Sequence, residues 1–223
     1  NHSSKLNTSL LVPTLCVYFF ESSSFRPHLS DYGQSAQGKA EPMIVVMPNG
    51  HMSMEAAPGE SSMGLYKPYH FPTGTMDGQF EQNFPEIIKY VESTYRVKTD
   101  KNSRAIAGLS MGGFHSAYIS MNNPDLFGYV GLFSAALVDL SDEQMKSPIY
   151  QDRDKKLATQ FKKGVKLYLT AIGEDDMLYE YNKRFRADLD AAGNKYEYVE
   201  TEGAHVWTCW RTYLSIFATK IFK

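Results

Sequence analysis

A serine flanked by glycines stands near the middle of the chain, in the segment AIAGLSMGGF. Ser110 has Gly108 two residues before it and Gly112 two residues after it, directly behind an apolar run. A nucleophilic serine must project its hydroxyl from a very sharp turn between a strand and a helix, where side chains two residues away on either side would collide. The spacing therefore predicts a nucleophilic serine at such a turn.

A serine hydroxyl is a weak nucleophile, so it needs a general base and an acid that orients the base. Behind this kind of turn, the acid comes first along the chain and the histidine second. Two histidines follow Ser110 in the sequence, His115 and His205. His115 falls in the helix directly after the turn and is expected to be a helix-face residue. His205 falls in a loop between the last strand and the last helix, so it is the predicted base.

The acid is less well defined by position. A segment GEDDML follows a predicted buried strand and contains Glu174, Asp175 and Asp176. A solvated turn or the N-cap of the next helix would account for at least one of these carboxylates. Spacing alone leaves all three open.

The helix behind Ser110 would point its amino end at the reacting group. Its partial positive charge favours an oxyanion there. The backbone N–H of Met111, the residue after the serine, is therefore predicted to be one donor of an oxyanion hole.

Strands that alternate with helices must position these residues. Buried strands are predicted over 42–50, 104–109, 129–137, 165–172 and 195–203, and helices over 80–97, 111–121, 178–193 and 207–222. Buried strands with helical crossovers indicate an α/β fold with a mostly parallel sheet and helices on both faces. Residues 50–78 read as a long loop. No domain boundary is visible, so residues 1–223 are predicted to form a single domain.

Composition limits the classes of partner. The chain has 223 residues and a formal net charge of -2, so it has no strong electrostatic field that would attract nucleic acid or an anionic membrane.

Cys16 and Cys209 are too few for a disulfide framework, and a single bridge or two free thiols both stay open. The apolar stretch at 9–20 is too short to span a bilayer. It is expected to be a buried strand rather than a signal-peptide core, because Pro13 interrupts it and no small-residue cleavage site follows.

Three separated motifs resemble the esterase D-like α/β-hydrolases, most of all the carbohydrate esterases that include feruloyl esterases and acetyl xylan esterases. The resemblance covers about residues 38–220 and rests on the segments MIVVMPNG, AIAGLSMGGFHSAYISMNNPDLFGYVGLFSAAL and GEDDMLYEYNKRFRADLDAAGNKYEYVETEGAHVWTCW. The family's Gly-x-x-Asp-x-Leu-Tyr pattern implies that Asp176 is the acid. Its His-x-Trp pattern matches His205 and Trp207, and Trp207 is interpreted as a substrate-binding residue at the rim of the site.

The resemblance implies an α/β-hydrolase fold and a serine esterase that uses a Ser-His-Asp triad and an acyl-enzyme, with no metal and no cofactor. It also implies a polysaccharide or small ester as substrate, such as feruloyl or acetyl groups on xylan, and an extracellular or periplasmic location. The oligomeric state stays unknown.

The chain departs from the family at its amino end. Family members carry a His-Gly-x-Gly-like loop that supplies the second oxyanion donor, and residues 1–37 show none, so this part is atypical or truncated relative to the family. The segment TLCVYFFESSSF could be the preceding strand, which predicts a substitute donor near Phe20 or Glu21.

Two alternatives to a polysaccharide esterase follow. The departure motivates a catalytically impaired carbohydrate-binding module that keeps the hydrolase shell. The second alternative is an esterase or thioesterase that acts on S-formylglutathione or a siderophore ester, because a catalytic triad does not distinguish among these substrates.

Overall fold

The computed structural model describes residues 15–21, 38–48, 50 and 76–223. In this part of the chain, six strands form one sheet in the order β2-β1-β3-β4-β5-β6. The strands are β1 (Leu15–Glu21), β2 (Met43–Val46), β3 (Arg104–Leu109), β4 (Tyr129–Phe133), β5 (Leu167–Gly173) and β6 (Glu197–Thr201). The α-helices of the same part are α1 (Gln79–Thr94), α2 (Met111–Asn122), α3 (Arg153–Lys162), α4 (Tyr179–Ala191) and α5 (Trp207–Ala218).

The four strands β3 to β6 are parallel, and helices cover both faces of the sheet. Alternate residues of β3 show how the faces are divided. Ala105 and Ala107 pack in one cluster with Phe217 of α5, while Ile106 packs in the other cluster with Phe114 of α2. The α/β fold with a mostly parallel sheet, predicted from the alternation of strands and helices, is confirmed.

Helix α1 is fixed by its apolar stripe. Phe80, Phe84, Ile88 and Val91 recur at helical spacing and are all buried in the cluster that lies between the helix and the sheet. Full burial of one such side chain contributes about 1.5–3 kcal/mol, far more than helix propensity does. The predicted helix over 80–97 is therefore present, although it begins one residue earlier and ends at Thr94.

Strands β2, β4 and β6 are shorter than predicted, and the reason is clearest for β4. The segment 129–137 was expected to be extended throughout, but β4 ends at Phe133. Ser134 has a φ of 45°, which is a left-handed backbone conformation and cannot continue a strand. The chain therefore turns away from the sheet at Ser134. Residues 51–75 of the predicted long loop lie outside the described residues.

Strand β1 corrects the prediction about the second oxyanion donor. Residues Leu15–Glu21 at the end of the apolar segment form a strand, as expected, and this strand pairs with β3 in the antiparallel direction. Leu15 pairs with Leu109, the neighbour of Ser110, whereas Phe20 pairs with Arg104. At about 3.3 Å per residue, Phe20 and Glu21 lie about 20 Å from the end of the sheet that carries Ser110. The prediction of a second oxyanion donor near Phe20 or Glu21 is therefore wrong.

Two further findings concern the described residues alone. Cys209 is a free, buried thiol, and the side chain of Cys16 lies outside the description. No helix in these ranges is both long enough and apolar enough to cross a membrane. The single domain expected over residues 1–223 stays a prediction.

Candidate active site

Ser110 is the single residue between β3 and α2. Its φ of 51° and ψ of -120° lie outside the regions that side-chain-bearing residues ordinarily occupy, so the backbone is strained at this point. A Cβ on Gly108 would overlap with the carbonyl group of Gly112. A Cβ on Gly113 would come within 2.6 Å of the Cβ of Ala135. Close backbone approach thus requires Gly108, as the sequence pattern predicted, and also Gly113, which the pattern did not include.

Backbone hydrogen bonds hold the strained turn against the end of β4. The N–H of Ser110 donates to the carbonyl of Phe133 at 3.0 Å, and the N–H of Ala136 donates to the carbonyl of Ser110 at 2.9 Å. The surrounding structure therefore fixes the serine in a conformation that it would not adopt alone.

The loops after β5 and β6 meet through two glycines. A Cβ on Gly173 would overlap with the carbonyl oxygen of Gly203, whose own φ is 115°. The N–H of Asp175 donates to that carbonyl at 3.1 Å, and the N–H of Glu174 donates to the carbonyl of Thr201 at 2.9 Å. These contacts bring the loop that carries the acidic residues against the loop that carries His205.

The three predicted groups are brought together at this edge of the sheet. The Nε2 of His205 lies 3.0 Å from the Oγ of Ser110. The Nδ1 of His205 lies 3.0 Å from both carboxylate oxygens of Asp176. Ser110 and Asp176 are buried. This arrangement has the hydrogen-bonded order of alcohol, imidazole and carboxylate that activates a serine.

Among the three competing acids, Asp176 is the one that the structure places beside His205. It is buried, whereas Glu174 and Asp175 are exposed. Burial acts to raise the pKa of the Asp176 carboxyl, but the hydrogen bonds from His205 and from the Leu178 N–H outweigh it and hold the pKa below the ordinary 3.8. Asp176 is therefore ionised at neutral pH and can stabilise a charged imidazole.

His115 lies in α2 away from this arrangement, as expected of a helix-face residue, but its surroundings were not predicted. Its Nδ1 lies 2.7 Å from the Oε1 of Glu81, which also accepts a hydrogen bond from the Tyr150 hydroxyl at 3.0 Å. All three side chains are buried. One sequence signal could have indicated this cluster, since Glu81 falls on the apolar face of α1.

Aromatic rings flank the histidine. The Trp210 ring meets the His205 imidazole edge-on, with centroids 4.8 Å apart, and the Trp207 ring meets Trp210 at 5.3 Å. Trp210 and Tyr213 are buried core residues, as the helical spacing suggested. Trp207 is 42% exposed. An exposed aromatic ring close to the histidine is available to a ligand, but its role as a substrate-binding residue stays a prediction.

Met111 is the first residue of α2, where backbone N–H groups have no carbonyl to bind within the helix. That position suits the predicted oxyanion donor. Within the described ranges, the His, Cys, Asp and Glu side chains form no group of three that could hold a metal ion.

A family model, Esterase, matches residues 24–217. The chain belongs to the Esterase family. This membership covers the Ser110 turn, the Asp176 loop and His205 together. It confirms the resemblance to esterase-type α/β-hydrolases, and the predicted enzyme class, a serine carboxylic ester hydrolase, agrees with the family and with its named relatives.

Two of the proteins to which this Esterase-family chain is similar in sequence are bacterial esterases. It is 33% identical over 189 residues to an endo-1,4-beta-xylanase/feruloyl esterase from Xylanibacter ruminicola, covering 84% of this chain and 22% of that protein. It is 29% identical over 164 residues to an acetyl esterase from Caldicellulosiruptor saccharolyticus, covering 62% of this chain and 60% of that protein. The chain thus spans about a fifth and three fifths of the lengths of these relatives.

Solved structures agree on the fold of the Esterase-family chain. The ferulic acid esterase AmCE1/Fae1A from Anaeromyces mucronatus superimposes with a TM-score of 0.62 at 21% identity, over 85% of this chain and 68% of that one. The S-formylglutathione hydrolase FrmB from Staphylococcus aureus gives a TM-score of 0.54 at 21% identity, over 65% and 61% of the two chains. At these identities the likeness shows the α/β-hydrolase fold alone.

Proposed function

We propose that this protein is a serine esterase whose nucleophile, base and acid are Ser110, His205 and Asp176. The observation that carries the proposal is the continuous relay from the Ser110 hydroxyl through both nitrogens of His205 to a buried, ionised carboxylate. A strained serine at a strand-to-helix turn supports it independently, because such strain persists only where the surrounding structure imposes it.

The reaction then follows from the chemistry of these groups. The Ser110 Oγ attacks the ester carbonyl while His205 Nε2 takes the hydroxyl proton, and the protonated imidazole then returns that proton to the leaving alcohol. A water molecule activated by the same nitrogen hydrolyses the acyl-enzyme. Asp176 holds the imidazole with its N–H on Nδ1 and stabilises the cation that forms twice in each cycle.

The negative charge on the carbonyl oxygen needs a donor in place before the reaction starts. The Met111 N–H at the amino end of α2 is proposed for this role, where the helix dipole adds to the hydrogen bond. The second donor belongs near Leu15 rather than Phe20, because Leu15 is the β1 residue paired with Leu109.

We propose feruloyl or acetyl esters on plant cell-wall polysaccharide such as xylan as the substrates. The names of the two relatives, a xylanase/feruloyl esterase and an acetyl esterase, support this class. The exposed ring of Trp207, which packs against the Trp210 ring that meets His205, suits a flat acyl group or a sugar face. An extracellular or periplasmic location forms part of the same proposal, since the polymer lies outside the cell.

The test measures hydrolysis of short p-nitrophenyl esters by the wild type, Ser110→Ala and His205→Ala. Each substitution is expected to lower kcat by about 10⁴-fold or more, because triad members act as one unit. Equal activity in all three proteins would overturn the triad. Methyl ferulate and acetylated xylan, assayed side by side, then decide the acyl group.

Covalent labelling separates this proposal from a non-catalytic carbohydrate-binding module. A fluorophosphonate should label Ser110 in the wild type and leave Ser110→Ala unlabelled. Polysaccharide binding without labelling of the wild type would favour the binding module. Preferred turnover of S-formylglutathione or a siderophore ester over both ferulate and xylan would keep the triad and overturn the substrate class.

A further inference from the structure

Ser134 lies between the nucleophile and the acid. It is the first residue after β4 and is fully buried. Its N–H donates to the carbonyl of Ala171 on β5 at 2.7 Å. Its neighbour Phe133 accepts the backbone hydrogen bond from Ser110. The residue is therefore held between the strained turn and the strand that leads to Asp176.

The backbone at this position does not favour serine. With a φ of 45°, Ser134 occupies a left-handed conformation that glycine adopts without cost and that other residues adopt at about 1 kcal/mol or more. The side chain also has to be buried. Neither the backbone conformation nor the burial favours a hydroxyl at this position, so its presence suggests a role of the oxygen itself.

The hydrogen bonds around Asp176 leave one place open for a donor. Its Oδ1 accepts the Leu178 N–H at 2.8 Å and also faces His205. Among the hydrogen bonds of the described residues, Oδ2 has His205 alone. The Ser134 Oγ is buried and, within the same residues, forms no hydrogen bond of ordinary geometry. It lies close enough to the carboxylate to help lower the pKa of Asp176.

We propose that Ser134 is a positioning residue whose hydroxyl donates a hydrogen bond to the free side of the Asp176 carboxylate. This inference rests on the proposed triad. A buried hydroxyl without a partner costs about 1–3 kcal/mol, and a buried carboxylate that must balance an imidazolium is strengthened by each added donor. Such a hydrogen bond satisfies both groups and fixes the orientation of the carboxylate against His205.

The first experiment compares kcat and KM on p-nitrophenyl acetate for Ser134→Ala and Ser134→Gly. Both should lose about ten-fold or more in kcat with little change in KM, because the loss of one hydrogen bond to a charged group corresponds to a rate loss of this size. Glycine relieves the left-handed backbone, so full activity of Ser134→Gly would show that only the backbone matters and would overturn the inference. Ser120→Ala is the matched control, because the Ser120 hydroxyl is also buried but bonds to the Ala117 carbonyl within α2.

A double-mutant cycle separates positioning from a general packing effect. In an Asp176→Asn background the charge that Ser134 serves is gone, so Ser134→Ala should cost far less there than in the wild type. Equal losses in both backgrounds would overturn the inference. If Asp176→Asn alone keeps wild-type activity, the triad is wrong and this role falls with it. If Asp176→Asn is impaired and Ser134→Ala is not, the role of Ser134 alone is wrong.

A spectroscopic readout completes the test. Carbon-13 NMR titration of the Asp176 carboxyl should give a higher pKa in Ser134→Ala than in the wild type, moving toward the ordinary 3.8. The other titratable groups near this carboxyl are His205 and Tyr213. Both residues are still present in the two Ser134 variants, so they act on the carboxyl in every protein compared. An unchanged carboxyl pKa would contradict the proposed hydrogen bond.

Discussion

Asp176 is a carboxylate that is removed from water and still kept ionised. Burial alone would raise its pKa, and hydrogen bonds from His205 and Leu178 reverse that effect. Two other acids, Glu174 and Asp175, stand two residues and one residue before it and remain in solvent. At the scale of single residues, therefore, the environment rather than side-chain chemistry distinguishes the proposed acid from its two neighbours.

This difference gives a direct prediction. Asp176→Asn should lower kcat on a p-nitrophenyl ester by a factor on the order of 10⁴, because an amide in place of the carboxylate favours the wrong imidazole tautomer. Glu174→Gln and Asp175→Asn are matched controls, since both remove one negative charge from the same exposed turn. Steady-state kinetics on the three variants provide the measurement. A loss as large in either control would mean that the acid is misassigned.

At the scale of elements, α1 and α2 are joined by a buried polar contact as well as by apolar packing. Glu81 of α1 meets His115 of α2 at 2.7 Å, and the Tyr150 hydroxyl donates to the same carboxylate oxygen at 3.0 Å. Because α2 begins directly after Ser110, this contact helps to hold the helix that carries the proposed oxyanion donor.

We expect His115→Phe to lower the free energy of unfolding by about 3–5 kcal/mol, since it leaves a buried carboxylate without its main partner. Tyr150→Phe removes one hydrogen bond from the same carboxylate and should cost about 1 kcal/mol. The double variant Glu81→Leu/His115→Phe should be more stable than His115→Phe alone, because no carboxylate is then buried. Urea unfolding measures all three, and a double variant less stable than the single one would contradict this account.

At the scale of the whole molecule, the direction of the strands decides which residues can meet. The carboxyl ends of the parallel strands β3, β5 and β6 lie at one edge of the sheet, so the residues that follow them converge there. Strand β1 runs in the opposite direction, and its last residue, Glu21, lies at the far edge. There the Glu21 carboxylate accepts hydrogen bonds from Lys98 and Ser103.

Glu21→Ala should therefore leave kcat unchanged and lower the free energy of unfolding by about 1 kcal/mol, the usual value of a partly exposed polar contact. Lys98→Ala is the matched control, because it breaks the same ion pair from the other side. Ester hydrolysis and urea unfolding of both variants test the two effects separately. A fall in kcat for Glu21→Ala alone would place this residue near the chemistry and contradict the antiparallel direction of β1.

The sequence by itself determined the alternation of strands and helices and the sharp turn at the serine between glycines, and it predicted His205 rather than His115 as the base. These features depend on local spacing, and local spacing fixes periodicity, turn geometry and chain order. The structure confirms the α/β fold, and membership of the Esterase family agrees with the predicted esterase class. The catalytic roles of Ser110 and His205 stay predictions that the geometry supports.

Other features were decided only by the tertiary structure. The burial of Asp176 beside two exposed acids, the contact between Gly173 and Gly203, and the cluster of Glu81 with His115 all join parts of the chain that no local pattern connects. The direction of β1 belongs with them, since an apolar run predicts that a strand is buried but not which way it enters the sheet. Solvent exclusion and strand direction are set by packing among distant segments, so they depend on the whole fold.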